Sequence, residues 1–212
     1  MSRVRPRVLA LAVAAVVIAG AVWPWPERRP NVLWITVDGL RPDHLSAYGY
    51  GAGRTPSVDR LAENGVSFTQ AFSDAPWSGA AAASAMTGRL AAHHGLRSPY
   101  RRLDERPATV AEVLRGEGYD TAAIVGSFSL DHVYGLDRGF AHYDDRCDSA
   151  EAGAAMRPRL PSAFHADTNQ QRTFLTRKRR ADSWRSDAAV GDAAVAWLKR
   201  ASRMRPFFLW VH

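Results

Sequence analysis

The stretch NVLWITVDGLR, residues 31–41, decides the fold. Its six residues from Val32 to Val37 are apolar or β-branched and do not alternate with polar residues. Such a run is typical of a strand in the interior of a parallel sheet, with both faces covered by helices. Asp38 follows where this strand would leave the sheet, and Gly39 permits a sharp turn there. Because open α/β sheets bind ligands at the carboxyl ends of their strands, Asp38 is a candidate metal ligand, and a simple turn residue is the alternative.

Strand and helix patterns alternate along the rest of the chain, which predicts right-handed crossovers and a mainly parallel sheet. The elements predicted are a helix from Pro56 to Gly65, a short strand from Val66 to Ala71, a helix capped by Ser78 and closed by Gly88, a helix from the Thr109–Glu112 capping box to Gly118, a strand over Thr121–Val125, a helix capped by Asp182 and a strand over Phe207–Val211. Residues 126–180 lack periodicity and are predicted to form a surface excursion.

Ser78 lies in the second stretch of chemical interest, APWSGAAAASAMTGR, residues 75–89. Its position predicts a hydroxyl at the N-terminus of a helix. There the backbone N–H groups and the positive end of the helix dipole would stabilise an alkoxide or the ester that it forms. A plain helix cap is the commoner role for such a serine, so both interpretations stay open.

Two adjacent histidines, His93 and His94, follow in the sequence AAHHGL. An imidazole at this place could orient a bound anion or act as an acid, and we take His94 as the candidate substrate-binding residue. The alternative is a solvated loop histidine without a role. Asp43 and His44 are weaker candidates for metal ligands, because turn formation explains them as well.

The N-terminal segment, residues 1–30, has the pattern of a targeting sequence. Arg3, Arg5 and Arg7 precede an apolar run from Val8 to Trp23. At 1.5 Å per residue a helix of this run would cover roughly 24 Å, against about 30 Å for the hydrocarbon core of a bilayer. A cleaved signal peptide and a short membrane anchor therefore both fit. We expect export to the periplasm or the extracellular space, with anchoring to the cytoplasmic membrane left open.

Composition excludes some classes of function. The formal charge is +7, but the positive charge is almost entirely arginine, and Lys178 and Lys199 are the only lysines. Since no zinc-finger or RNA-recognition motif accompanies this charge, we do not expect a nucleic-acid partner. Cys147 is the only cysteine, which excludes an intramolecular disulfide bond and a multi-cysteine metal site.

Six blocks of the sequence, in order, resemble the N-terminal part of the sulfatase family of the alkaline phosphatase superfamily. The blocks are NVLWITVDGLRPDHLSAYGY, TPSVDRLAENGVSFTQAFS, SGAAAASAMTGRLAAHHG, TVAEVLRGEGYDTAAIVG, GLDRGFAHYDD and PFFLWVH, which together cover about residues 31–212. The resemblance implies an α/β/α sandwich with a mainly parallel sheet and a divalent metal ion, for which Ca²⁺ is the first expectation. It also implies hydrolysis of a sulfate or phosphate ester through a covalent nucleophile. Asp38 falls on a metal ligand of the family and Ser78 on its nucleophile.

Several residues depart from the family pattern. The nucleophile motif has an arginine four residues after the nucleophile, where this chain has Ala82, and this speaks against conversion of Ser78 to formylglycine. Gly39 replaces the second of two paired aspartates, and Gly126 and Phe128 replace a lysine and a histidine. The charge available to bind an anion is therefore reduced.

The family's remaining metal ligands lie beyond position 212, so we expect residues 31–212 to be an incomplete domain that is inactive alone. The leading hypothesis is an exported, metal-dependent hydrolase of sulfate esters. A phosphoester hydrolase or transferase that uses unmodified Ser78 is one alternative. A non-catalytic remnant that keeps the fold is the other.

Overall fold

A four-stranded parallel sheet forms the centre of the computed structural model, which describes residues 29–98, 101–146, 185–202 and 204–212. The strands are β1 (Val32–Ile35), β2 (Asp120–Ile124), β3 (His142–Asp144) and β4 (Phe207–Val211). Their order across the sheet is β1-β4-β2-β3, and every pair is parallel. The carboxyl ends of all four strands therefore meet at one edge.

Helices connect the strands. The α-helices are α1 (Pro56–Asn64), α2 (Ser78–Thr87), α3 (Ala91–His94), α4 (Val110–Gly116) and α5 (Asp187–Arg200). Short 3₁₀ turns cover Pro42–His44, Ser46–Tyr48, Phe128–Leu130 and His132–Tyr134. The sheet has a buried cluster on each face, so the predicted α/β/α sandwich is confirmed.

Strand β4 shows why an unbroken apolar sequence suits this sheet. Phe208 and Trp210 pack with residues of α2 and α4, whereas Leu209 packs with Val190 and Ala194 of α5. Successive side chains of a strand point to opposite faces, so both faces of an interior strand need apolar residues. The prediction of a doubly covered strand is confirmed at this position.

The same prediction is wrong for β1, which lies at the edge of the described sheet. Trp34 stacks against Phe208 and Trp210, with ring centroids 6.4 and 5.6 Å apart. Leu33 and Ile35 point to the other face and are 50% and 56% exposed. The apolar sequence of β1 predicts a strand with two apolar faces. It does not specify which other strands and helices lie beside that strand.

Cap residues predicted the helix boundaries well. Helix α1 starts at Pro56 and ends before Gly65, and α2 ends before Gly88, whose φ of 64° lies in the left-handed region. Thr109 and Glu112 form the predicted capping box, since each side chain accepts a hydrogen bond from the backbone of the other.

Two other predictions for secondary structure are wrong. Residues 66–71 form no strand, and Val66 and Phe68 are 81% and 69% exposed. Their alternating pattern has no partner strand among the described residues. Strand β3 was missed within the predicted excursion because it has only three residues and carries polar His142 and Asp144. Asp182 lies outside the described residues, and Ser186 caps α5 instead.

In the part of the chain that the structure describes, no helix has the length and hydropathy needed to cross a bilayer. The apolar run of residues 8–23 lies outside that part. The prediction of a targeting segment therefore stays a prediction.

Candidate active site

Asp38 and Ser78 meet at the carboxyl edge of the sheet. Asp38 follows β1 and is exposed, and Ser78 is the first residue of α2. Ser78 Oγ donates a hydrogen bond of 2.8 Å to Asp38 Oδ1. The predicted proximity of the two side chains is confirmed, together with a helix that begins at Ser78. Their chemical roles stay predictions.

Ser78 is not the N-cap of its helix, which corrects one detail of the sequence analysis. The N-cap is Trp77, in an extended conformation, and it makes no side-chain capping bond. The first helical hydrogen bond runs from Ala81 N–H to the Trp77 carbonyl at 3.0 Å. Because Ser78 does not cap the helix, its hydroxyl is available to Asp38. The amides of Gly79 and Ala80 precede the first helical hydrogen bond and have no acceptor within the helix.

The start of α2 is held by close packing against the turns after β2. A Cβ atom on Gly79 would lie 2.7 Å from the carbonyl oxygen of Ser129, so only glycine fits here without movement. Trp77 packs edge-on against Tyr134, with ring centroids 5.5 Å apart. These contacts fix the direction in which the helix N-terminus points.

His94 lies in the core and is not in contact with this pair. It is fully buried, and its Nδ1 accepts a hydrogen bond from the Leu96 amide at 3.2 Å. Its Nε2 therefore carries the proton and donates to Ser84 Oγ at 2.8 Å. The Ser84 hydroxyl in turn donates to Asp74 Oδ2 at 2.6 Å. Both ring nitrogens are used within the protein, so this geometry gives no support to a role in substrate binding.

Burial lowers the pKa of His94, which keeps the ring neutral at neutral pH. The histidine was taken from the sequence as a loop residue, whereas it forms the end of α3. Asp74 also accepts a hydrogen bond from the Ala91 amide at the start of that helix, at 3.1 Å. The Asp74–Ser84–His94 chain thus joins α3 to α2 and has a structural role.

A third side chain, His212, lies at the same edge of the sheet and was not singled out from the sequence. Its Nδ1 is 2.7 Å from Thr36 Oγ1, which also accepts a hydrogen bond from Trp210 Nε1 at 3.0 Å. Burial lowers the pKa of His212, and the charge of Asp38 opposes this effect. A histidine at the end of a buried strand is the signal that sequence analysis could have used.

Asp131, His132 and Asp145 form a separate cluster that could hold a metal ion, with one ligand atom from each within 4.8 Å of the others. His132 Nδ1 lies 2.6 Å from Asp145 Oδ2 and 3.3 Å from Asp131 Oδ1. The hydrogen bond to Asp145 raises the pKa of His132, although burial opposes it. The cluster is therefore an ion pair, and a metal ion would have to displace the proton of His132.

Asp38 and Ser78 do not by themselves form a complete site for a divalent metal ion. Ca²⁺ binds about six to eight oxygen atoms, usually from several carboxylates. These two side chains offer one carboxylate and one hydroxyl, and Gly39 offers no side-chain ligand. Among the described residues, the possible metal cluster does not include Asp38.

The parallel sheet with helices on both faces, and a helix N-terminus beside a carboxylate at its carboxyl edge, define an α/β/α protein with a candidate active site at the carboxyl ends of its strands. The family model for sulfatases, named Sulfatase, matches residues 30–212. The chain belongs to the sulfatase family.

Similar proteins agree with this assignment. The chain is 24% identical to an N-acetylglucosamine-6-O-sulfatase of Bacteroides thetaiotaomicron over 98% of its own length and 34% of that protein. It is 36% identical to the mouse (Mus musculus) steryl-sulfatase over 59% of its length and 23% of that protein. A structure solved with D-glucosamine-2-N,6-O-disulfate as substrate matches 87% of this chain and 34% of its own chain, with a TM-score of 0.64 and 20% identity. The chain spans about a third of the length of such relatives.

Proposed function

We propose that this chain supplies the nucleophile of a metal-dependent hydrolase of sulfate esters. The observation that carries the proposal is the 2.8 Å hydrogen bond between Ser78 Oγ and Asp38 Oδ1 at the N-terminus of α2. A hydroxyl that donates to a carboxylate has its lone pairs free for attack and a proton acceptor already in place. Membership of the sulfatase family supports sulfate esters as the class of substrate.

The reaction follows from the positions of these groups. Ser78 Oγ attacks the sulfur atom, the bond between sulfur and the leaving oxygen breaks, and a sulfated Ser78 forms. The proton of the hydroxyl passes to Asp38 and from there to the leaving alcohol, so atoms and charge balance. The amides at the start of α2, those of Gly79 and Ala80, are donors for the oxygens of the sulfate group. Water then attacks the sulfur atom, the bond between sulfur and Ser78 Oγ breaks, and a proton of the water passes through Asp38 to Oγ, so that hydrogen sulfate leaves and Ser78 is regenerated.

A divalent metal ion bound there would polarise the ester oxygens and stabilise the negative charge that develops on them. Asp38 is the one carboxylate near Ser78 that we assign as a ligand. We propose that the other ligands come from residues outside the described part of the chain or from another polypeptide. The identity of the metal is left to experiment, with Ca²⁺ as the first candidate by family.

Transfer of a phosphate group is the second candidate, and Ala82 favours it. The arginine at this position of the family motif is absent, so Ser78 is proposed to react as serine and not as formylglycine. An unmodified serine can form a phosphate ester by the same attack, at phosphorus in place of sulfur. The relative rates at which Ser78 reacts with a sulfate ester and with a phosphate ester therefore distinguish the two candidate functions.

The proposal is tested by covalent labelling of Ser78. The purified full chain is incubated with 4-nitrophenyl sulfate or 4-nitrophenyl phosphate in the presence of Ca²⁺, and its peptides are analysed by mass spectrometry. We expect one added sulfo or phosphoryl group on the peptide that contains Ser78. The faster of the two reagents identifies the preferred ester.

Three variants make this experiment decisive. Ser78→Ala should abolish the label, Asp38→Asn should slow it, and Ser57→Ala, an exposed serine of α1, should leave it unchanged. A folded wild-type chain that takes no label, or a label that persists in Ser78→Ala, contradicts the proposed nucleophile.

Export is a separate proposal, supported by the three arginines before the apolar run of residues 8–23. The full chain is expressed with a C-terminal tag in a bacterial host and followed by fractionation. We expect it in the membrane or periplasmic fraction, and reversal of Arg3, Arg5 and Arg7 to glutamate should impair its export. Unprocessed chain found only in the cytosol would refute export.

A further inference from the structure

We propose that His212 is a further binding residue of this site, whose Nε2–H donates a hydrogen bond to an oxygen of the sulfate or phosphate group held at Ser78 and Asp38. This inference rests on the proposed function, since it requires an oxyanion at that place. It is carried by three observations: the position of His212 in the sheet, its tautomer and the unsatisfied state of Nε2.

The register of the sheet places His212 beside the site. Strands β1 and β4 are parallel, with Ile35 opposite Val211, so the next pair of residues is Thr36 and His212. The Thr36 amide donates to the Val211 carbonyl at 2.9 Å, which continues the pairing to the ends of both strands. Asp38 follows two residues after Thr36. His212 and Asp38 therefore leave the sheet at neighbouring points of the same edge.

The hydrogen bonds of Thr36 are the basis on which we assign the tautomer of the His212 ring. Trp210 Nε1 can only donate, so Thr36 Oγ1 is the acceptor in that contact. Within the described residues, the only acceptor for the Thr36 hydroxyl hydrogen is His212 Nδ1, at 2.7 Å. We therefore assign the donor role in this contact to the Thr36 hydroxyl, which leaves Nδ1 unprotonated and places the hydrogen of the neutral ring on Nε2.

The Nε2–H group is buried and has no hydrogen-bond partner among the described residues. A buried donor without an acceptor is costly, and native proteins rarely leave one unless a water molecule or a ligand supplies the acceptor. A neutral N–H donor suits the unprotonated oxygen of a sulfate or phosphate group.

The test uses nuclear magnetic resonance on the full chain with ¹⁵N-labelled histidine and backbone, titrated with inorganic sulfate and then phosphate. In the free protein we expect a protonated Nε2 and an unprotonated Nδ1 on His212. Added anion should shift the Nε2 signal and the Gly79 amide signal together, with the same saturation.

Variants measure the contribution of the donor. We expect His212→Phe to bind sulfate about tenfold more weakly, the scale of one neutral hydrogen bond, and His212→Gln to recover part of the loss. His142→Phe is the matched control, since this exposed histidine starts β3 at the opposite edge of the sheet, and it should bind as wild type does. If His212→Phe does not fold, His212→Gln and the wild-type titration still decide the question.

Three results would overturn the proposal, and they separate it from the proposed function. If the Gly79 amide shifts and His212 Nε2 does not, the anion site stands and His212 is not part of it. If neither signal shifts, the anion site itself is wrong. If Nε2 is unprotonated and shifts with Ca²⁺ or Zn²⁺ alone, His212 is a metal ligand and not a donor.

Discussion

The hydroxyl of Ser78 and a carboxylate oxygen of Asp38 lie 2.8 Å apart, although 40 residues separate them in the chain. This contact joins the end of β1 to the start of α2. It brings the two residues with the strongest chemical signals in the sequence into a single arrangement. It also gives a direct way to test their roles, because Asp38 is exposed and its replacement does not disturb the core.

Asp38→Asn should slow covalent labelling of Ser78 by about 100-fold, since the amide keeps the size of the side chain but cannot accept the proton. The rate is measured with the activated sulfate or phosphate ester and mass spectrometry. Asp43→Asn is the control, because Asp43 is exposed and pairs with Arg41. Equal labelling rates in Asp38→Asn and wild type would exclude Asp38 as the proton acceptor.

Gly79→Ala should destabilise the protein by about 1–3 kcal/mol, because the added methyl group meets the Ser129 carbonyl and the Trp77 ring at 2.7 and 2.5 Å. It should also slow labelling, since the start of α2 must move. Gly191→Ala is the matched control: a Cβ atom there meets nothing within 4 Å, and the change should stabilise α5 by about 0.5–1 kcal/mol. Urea unfolding measures the free energy of unfolding of both variants. Unchanged stability of Gly79→Ala would contradict the close packing of the helix start.

The ion pair between His132 and Asp145 should make stability depend on pH. The hydrogen bond to Asp145 raises the pKa of His132 in the folded state, so its contribution is fully present below the ordinary histidine pKa of about 6.5. The contribution is lost as pH rises through the raised pKa. Urea unfolding of wild type and His132→Gln at several pH values should therefore give a difference that shrinks toward alkaline pH. A difference in the free energy of unfolding that grows with pH would contradict this prediction.

Ser84→Ala should destabilise the protein by about 1–3 kcal/mol, because it removes the hydroxyl that accepts the 2.8 Å hydrogen bond from the buried Nε2–H of His94. The labelling of Ser78 should stay close to the wild-type rate in this variant at temperatures where it is folded. The two measurements together separate a structural His94 from a substrate-binding one. A labelling rate that falls at least tenfold in the folded variant would support a role of His94 in substrate binding.

Sustained turnover by the chain alone should not be detectable with Ca²⁺, Mg²⁺, Mn²⁺ or Zn²⁺. Each missing electrostatic contact in the transition state costs about 2–4 kcal/mol, and within the described ranges Asp38 is the carboxylate that hydrogen-bonds to Ser78. Labelling without release of sulfate is the expected behaviour. Repeated turnover that Ser78→Ala abolishes would show that the chain supplies a complete metal site.

Local sequence signals predicted much of the fold because they act over a few residues. The capping box of Thr109 and Glu112, Pro56 at a helix start and the apolar strand Phe207–Val211 each specify their own conformation. The order of the strands depends on contacts between distant residues. For this reason the edge position of β1 and the short strand His142–Asp144 were not predictable from their own sequences.

Local sequence signals also predicted part of the candidate site, namely the residues that directly follow a strand or begin a helix. Asp38 and Ser78 were found because each follows or starts an element with a clear pattern. The hydrogen bonds of His94 were not predictable, because the sequence does not show that the Leu96 amide and Ser84 contact both of its ring nitrogens. His212 was missed because its significance depends on Thr36, which lies 176 residues away in the chain.

The open edge of β1 has a consequence for handling the protein in solution. Among the described residues no strand pairs with this edge, and Leu33, Ile35 and Val37 are all at least half exposed. An unpaired strand edge flanked by apolar side chains is a template on which another chain can add a strand, which leads to aggregation. Concentrated samples should therefore associate through β1, and Ile35→Lys should raise the solubility of the chain while the Ser78–Asp38 contact is kept.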